Sequence, residues 1–218
     1  IDDFAKGASG TVRIGTGMIS AELLLPEVCS VLRQQAREAR IEVTIGMMDD
    51  LRAALKEGEF DMIVTTLGEV DADLISYPLV DDDIVVVARK SHKVFGGPVK
   101  MEDLLDYDWA LPSRSQQLRR RLDAAFEARH LPRPNAKIEV NSISLLPAIV
   151  ERTDLLSFIS RRQLARKRWA SRLREIPLKE STIHRRFGVQ CRGNGYLSPV
   201  ARLFLEVLHT RGPKLLHM

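Results

Sequence analysis

Gly10-Thr11-Val12-Arg13-Ile14-Gly15-Thr16-Gly17, followed at once by an apolar helical pattern containing Leu23-Leu24-Leu25-Pro26, decides the fold class of this 218-residue chain. Alternating Val12 and Ile14 predict a strand over 11–16, the glycines end it, and a helix begins directly afterwards. N–H groups at the start of such a helix point at whatever small molecule occupies the crevice beyond the strand. The stretch therefore reads as a ligand site rather than a catalytic one.

Working outward, Ala21, Leu24, Leu25, Val28, Val31, Leu32 and Ala36 follow helical spacing and predict a helix over 20–38, with Pro26 early in it, where a missing N–H is tolerated. A strand over 41–45, a helix over 49–56 and a strand over 60–65 complete the β-α-β-α-β order of an open parallel sheet, whose ligands sit at the carboxyl ends of the strands. Residues 74–80 and 84–89 are extended and carry the chain into a second lobe. There a strand at 109–111, a helix at 113–129, a strand at 137–140, a helix at 142–151, a strand at 155–159 and a helix at 161–169 repeat the alternation. Residues 183–190 are extended again, and a last helix at 198–210 aligns Val200, Leu203, Phe204 and Val207. The chain is expected to cross back and finish on the first lobe, and two crossings make a hinge.

Composition excludes several function classes. Hydrophobic residues are 44% and charged residues 28%, and no apolar run approaches the roughly 20 residues of a membrane span. The net charge is +4, with seven cations between Arg161 and Arg174 and a second cluster at Arg119-Arg120-Arg121. These read as solvated helix faces; nucleic-acid contact is the alternative, without interleaved aromatics to support it. Cys29 and Cys191 are too few for a disulfide framework and read as small buried apolar residues of a reducing cytoplasm. His92, His130, His184, His209 and His217 lack metal-ligand spacing, and His217 belongs to a frayed tail. Asp81-Asp82-Asp83 alternate between opposite strand faces and cannot form one paired site. Gly15-Thr16-Gly17 lacks the third glycine of a dinucleotide fingerprint. Cys29, the one candidate nucleophile, sits in a helical apolar setting that argues for an inert thiol, so neither catalysis nor a cofactor is expected. Ile1 is preceded by no charged-then-apolar leader, and the chain reads as a fragment of something longer.

The chain resembles the effector-binding region of LysR-type transcriptional regulators. The resemblance lies in Thr11-Val12-Arg13-Ile14-Gly15 with Leu24-Leu25-Pro26, in Ala54-Leu55-Lys56-Glu57-Gly58-Glu59-Phe60-Asp61-Met62-Ile63 within 51–64, in 79–92 ending Ala88-Arg89-Lys90-Ser91-His92, and in 145–164. It implies an α/β fold of two Rossmann-like subdomains joined by two crossover strands, periplasmic-binding-protein-like of type II. Residues 1–10 would end a linker, 11–80 with 183–218 form subdomain I, and 81–182 form subdomain II. It further implies a cytoplasmic bacterial sensor that binds a small-molecule effector in its interlobe cleft. Such a sensor dimerises through this domain, forms a tetramer at full length and contacts DNA through a winged helix-turn-helix domain preceding Ile1. The helices over 20–38 and 113–129, the latter with Leu118, Leu122, Ala125 and Phe126, would pair isologously in that dimer. A free periplasmic solute-binding protein is the alternative on the same build.

Serine or threonine anchors that the family places before its first two helices fall here on Ile19 and Met48, both apolar, with Ser20 one residue away. Arg152-Thr153-Asp154-Leu155-Leu156 replaces a glycine-rich turn, so Thr153 or Asp154 is expected to supply its permissive backbone geometry, and Ser160 stands where a proline is usual. Helix starts near Ile19-Ser20, Asp49-Asp50, 113–115 and Asn141-Ser142 should converge on the cleft. The candidate effector-binding residues are Thr16, Gly17, Met18, Ile19, Ser20, Met47, Met48, Thr65, Thr66, Ser113, Arg114, Asn141, Ser142 and Ile159. Ser20, Ser113 and Ser142 equally suit N-cap roles, and the methionines equally suit the core. Arg114 is either a clamp on a ligand carboxylate or an exposed arginine at a helix start. The expected ligand is a small organic molecule with an apolar body and one anionic group, and the chain is expected to interact with no membrane.

Overall fold

The computed structural model describes residues 9–68 and 71–215. Of the linker segment read at the start, residues 1–8 lie outside the described residues, as does His217. The chain divides into two compact units, one of Ile1–Asp81 with Arg185–Met218 and one of Asp82–His184.

The first unit opens with β1 (Gly10–Thr16), so Gly10 already belongs to the strand. It continues through α1 (Met18–Gln35), β2 (Ala39–Ile45), α2 (Met48–Glu57), β3 (Met62–Leu67) and the start of β4 (Leu74–Arg89). β1 pairs in parallel with both β2 and β3, the sheet that the period-2 and period-3.6 patterns predict. α1 starts two residues earlier than its spacing suggests, and it stops at Gln35 because Ala36 leaves helical geometry at φ −136°. Pro26 consequently lies mid-helix rather than early. It sits on the solvent-exposed face, where its ring is tolerated at the loss of one backbone hydrogen bond.

α2 ends where Gly58 takes the left-handed region at φ +86°, which only glycine adopts cheaply. The Glu59 N–H then bonds the Ala54 carbonyl at 2.9 Å, and Arg192 donates from Nη1 to the carbonyls of Leu55 (2.7 Å) and Phe60 (2.9 Å). Leu51, Leu55, Ile63 and Leu74 pack beneath α2 with Phe60.

The second unit takes over within β4, which is one 16-residue strand rather than two extended segments. It contains β5 (Trp109–Pro112), α3 (Gln117–Glu127), β6 (Ala136–Val140), α4 (Leu146–Arg152), β7 (Ser157–Ser160), α5 (Arg161–Ala165), α6 (Lys167–Ala170) and β8 (Leu173–Glu175). β5 and β6 are parallel, but β4 runs antiparallel to both β7 and β8, so the second unit is not a simple repeat of the first. The expected helix over 161–169 breaks at Arg166, whose ψ of 137° is extended. Trp109, Leu122, Phe126, Leu146 and Leu156, all fully buried, centre the core of this unit, with an edge-to-face contact between Trp109 and Phe126 at 6.2 Å.

The chain then returns to the first unit through β9 (Ile183–Arg192) and α7 (Pro199–Leu215), and α7 packs against α1 and β1. β9 joins β3 antiparallel, with Gly188 opposite Thr65. A Cβ on Gly188 would lie 2.6 Å from both the Tyr77 carbonyl oxygen and a Leu67 methyl, a close approach that needs glycine.

One expectation is narrowed by packing and one fails. Leu122 and Phe126 of α3 are fully buried in their own unit, so of the four apolar residues expected to face a second subunit only Leu118 and Ala125 keep exposed surface. Neither Thr153 nor Asp154 has a positive φ; Thr153 instead closes its turn with its side chain, donating from Oγ1 to the Ile149 carbonyl at 2.9 Å and accepting from the Leu155 N–H at 3.3 Å.

Candidate functional site

In the first unit the carboxyl ends of β1 and β2 finish level with one another, while β3 runs on for three residues past Val64. Thr16 stands opposite Ile45 on one side and Val64 on the other, and the Gly46 N–H bonds the Thr16 carbonyl at 3.1 Å. α1 and α2 therefore start side by side at this edge. Their N-caps, Gly17 and Met47, are both extended, and neither supplies a side-chain cap. The first-turn N–H groups of both helices are thus left without a capping side chain, the arrangement that receives an anion or a polar ligand rim. The two ends differ in charge: α2 carries Asp49 and Asp50 in its first turn and α1 carries no acid there.

The side chains around this edge sort into wall and support. Met18 (39% exposed) and Met47 (53%) face solvent, whereas Ile19 turns into the core. Met48 is half-buried, and its sulfur accepts a hydrogen bond from Thr65 Oγ1 at 2.7 Å. Thr65 and Thr66 are not the strand's last residues, since β3 runs on to Leu67, and Thr65 is buried. Thr16 is fully buried, with Oγ1 donating to the Val64 carbonyl at 2.9 Å, so its hydroxyl locks β1 to β3. Ser20 lies within the first turn of α1, buried, and is not its N-cap.

The second unit has its own carboxyl edge, at β5 and β6. Ser113 bonds the Val140 carbonyl through its N–H at 3.0 Å and its Oγ at 3.4 Å, which ties the two strand ends together. α3 starts at Gln117, four residues later than expected, so Ser113 and Arg114 lie in the preceding turn and Gln116 is the N-cap. Arg114 and Asn141 are exposed. Ser142 precedes a short 3₁₀ turn, Ile143–Leu145, and its hydroxyl pairs with that of Ser144 at 2.8 Å rather than capping a helix. Ile159 is a core residue, packed with Val85, Val87, Val150 and Leu173, and does not line an edge.

Three polar residues of the second unit escape sequence reading. Gln116 is buried and donates from Nε2 to the Asn141 carbonyl at 2.8 Å, joining the two turns that carry the candidate residues. Arg119 is not a solvated cation: it is fully buried, with Nε donating to Asp123 Oδ1 at 2.8 Å and Nη1 to the Pro112 carbonyl at 3.3 Å. The signal was an acid four residues on, along the face that also carries Leu122 and Phe126. Ser160 accepts from the Gln163 N–H at 3.4 Å and donates to Asp82 Oδ1 at 2.8 Å. Ser160 and Gln163 have the spacing of a capping box, which the sequence displays.

Among the described residues no cluster of three or more metal-ligating side chains occurs. The candidate thiols are shielded: burial raises the pKa of Cys29 and pushes that of Cys191 up to about 11. The Asp81-Asp82-Asp83 run is dispersed as strand geometry requires, with Asp81 on Arg186, Asp82 on Ser160, and Asp83 on Arg161 and His184.

Comparison with known proteins places these features in a family. The model of the LysR substrate binding domain matches residues 5–213. The transcriptional regulator GalR of Pseudomonas putida is 26% identical over 194 residues, covering 88% of this chain and 49% of the relative. GbpR of Azospirillum brasilense is 29% identical over 222 residues, covering 95% and 62%. The chain thus spans about half to three fifths of the length of these relatives. Among solved structures, the CcmR regulatory domain of Synechocystis in complex with 2-PG superposes with a TM-score of 0.82 at 19% identity, covering 93% of this chain and 97% of that one. The effector binding domain of QuiR in complex with shikimate gives 0.78 at 18% identity, covering 94% and 98%. These likenesses extend over both units and bear out the type II periplasmic-binding-protein-like fold. The chain belongs to the LysR substrate-binding domain family.

Proposed function

We propose that this chain is the sensory domain of a DNA-binding transcriptional regulator and that it binds a small organic anion with an apolar body. The observation that carries the reading is the edge formed by β1, β2 and β3, where the first turn of α1 has neither a side-chain cap nor an acid and Met18, Met47 and Met48 provide a soft apolar flank. Thr16 and Thr65 hold that edge in place. Within the second unit, Ser113, Arg114, Asn141 and Ser142 form a separate set of polar groups suited to ligand contact, their two turns joined by Gln116. The structures of CcmR with 2-PG and QuiR with shikimate favour a carboxylate-sized ligand for this chain too.

Regulation of transcription, a cytoplasmic setting and DNA contact through a segment outside this chain are part of the same proposal, supported by the names of its relatives, which are transcriptional regulators. Those names also favour a binding role over an enzymatic one and over a transport receptor. Self-association is assigned to the first unit. β2 is the outer strand of its sheet, and Val43 (41% exposed) and Ile45 (49%) show apolar surface along it.

Thermal-shift titration with benzoate, shikimate, galactose and glycerol tests the ligand class. The carboxylates raise the melting temperature and the neutral polyols do not. Stabilisation by the polyols alone overturns the reading.

A further inference from the structure

Within the second unit, a solvent-open depression of about 390 Å³ is lined by Arg89, Lys90, Ser91, Glu151, Arg152, Ser171 and Arg172. Its volume is in the range of small-molecule sites, roughly 300–1,000 Å³, and every residue that lines it carries a charge or a hydroxyl. It contains none of the residues assigned to the effector.

Three separate elements converge there: the end of β4, the end of α4, and the turn between α6 and β8. The Lys90 N–H bonds the Arg172 carbonyl at 3.0 Å, which fixes the first of these against the third. Cations outnumber carboxylates four to one among the lining residues. The single acid, Glu151, is mostly covered and shared, accepting from Arg152 Nη1 at 3.0 Å and from Arg172 Nη1 at 2.6 Å. Those two arginines remain 70% and 63% exposed, so their other N–H donors face water. Arg89 spends Nη1 on Ser91 Oγ at 3.1 Å and Nη2 on Asp154, while its buried Nε has no partner. That N–H has no acceptor to offset it, so Arg89 adds uncompensated positive potential to this corner of the unit. Two of the α4 carbonyls are covered, Ala148 by Arg152 and Ile149 by Thr153.

We propose that this depression is a second binding site, specific for the phosphate group of a small phosphorylated molecule. Arginine forks match phosphate oxygens two at a time, Lys90 adds a point charge, and Ser91, whose oxygen accepts from Arg89, keeps its hydroxyl proton for a ligand. Glu151 and Asp154 together neutralise only two of the four cations, and the remaining positive charge selects a ligand with more than one negative charge, as a phosphate monoester has near neutral pH.

The test is calorimetric titration of the chain with inorganic pyrophosphate at constant ionic strength. The expected result is saturable one-site binding that weakens about tenfold in Arg152→Gln and further in Arg152→Gln/Arg172→Gln, both variants keeping the wild-type melting temperature within a few degrees. Met48→Asp leaves it unchanged. Binding that survives the double variant, or that chloride at equal ionic strength abolishes (an adventitious ion only), overturns the proposal. Loss of pyrophosphate binding in Met48→Asp alone places the anion at the other site and also overturns it. Displacement by a short DNA duplex at lower concentration than any phosphate ester reassigns the depression to a nucleic-acid backbone, against the small-molecule reading.

Discussion

Arg119 and Asp123, one helical turn apart on α3, form an ion pair whose side chains are 1% and 8% exposed, with Nε to Oδ1 at 2.8 Å. Removing one member strands the other charge in the core, which costs about 3–5 kcal/mol, whereas replacing both with apolar residues of similar size costs much less. Asp123→Ala should therefore lower the urea midpoint sharply, and Arg119→Met/Asp123→Leu should recover most of the loss. Equal midpoints for the single and double variants would show that the pair has no such coupling.

Met48 is the first residue of α2, and an aspartate there suits the positive end of the helix. Met48→Asp should leave the melting temperature of the free chain within a few degrees and remove the shift produced by benzoate or shikimate. A large fall in the melting temperature of the free chain would instead mark Met48 as a core residue.

His92 is buried, with Nδ1 accepting from the Val94 N–H at 3.0 Å and Nε2 facing the Asp154 carbonyl at 3.1 Å. Those partners assign a neutral imidazole with its proton on Nε2. Burial lowers its pKa below the ordinary 6.5, with the Asp154 hydrogen bond opposing. The unfolded chain then takes up this proton at a higher pH than the folded chain does. The contribution to stability is complete above about pH 6.5 and declines as pH falls towards the folded value. Urea midpoints between about pH 7 and pH 5 should fall in the wild type and fall less steeply in His92→Asn. Identical slopes would acquit His92.

Cys191 is 3% exposed and its thiol is held protonated at neutral pH by burial, while Cys29 is half-buried with its pKa also raised. Ellman's reagent at about pH 7.5 should react slowly with Cys29 alone, and both thiols should react on adding denaturant. Rapid modification of Cys191 in the native chain would contradict its placement.

Gly188 leaves no room for a methyl group beside the Tyr77 carbonyl and Leu67. Gly188→Ala should destabilise by about 1–3 kcal/mol through displacement of β9 from β3. Thermal denaturation checks this, and a neutral effect would mean that the strands slide apart freely.

The first unit is legible in the sequence because its elements obey simple periods: Val12 and Ile14 alternate, Leu24, Leu25, Val28, Val31 and Leu32 follow helical spacing, and Gly58 announces a helix end. The 16 residues of β4 were harder to read, because Asp81-Asp82-Asp83 looks like a break in a strand. Partners distant in sequence, Arg186, Ser160 and Arg161, make that strand continuous. Arg119 illustrates the same limit, since a cation within a run of three arginines reads as solvated until Pro112 and Asp123 enclose it. At the candidate site, the crevice beyond Gly15-Thr16-Gly17 was visible from glycine and strand pattern. The division of labour was not: hydroxyls of Thr16 and Thr65 serve the scaffold, and only their burial reveals it.

Two strands, β4 and β9, pass between the units, so Asp82–His184 is contiguous while its companion is assembled from segments on either side of it. During translation the inserted unit leaves the ribosome whole, at a moment when the N-terminal portion still lacks its antiparallel partner for β3 and the helix that shields α1. That half stays incomplete until β9 and α7 have been made.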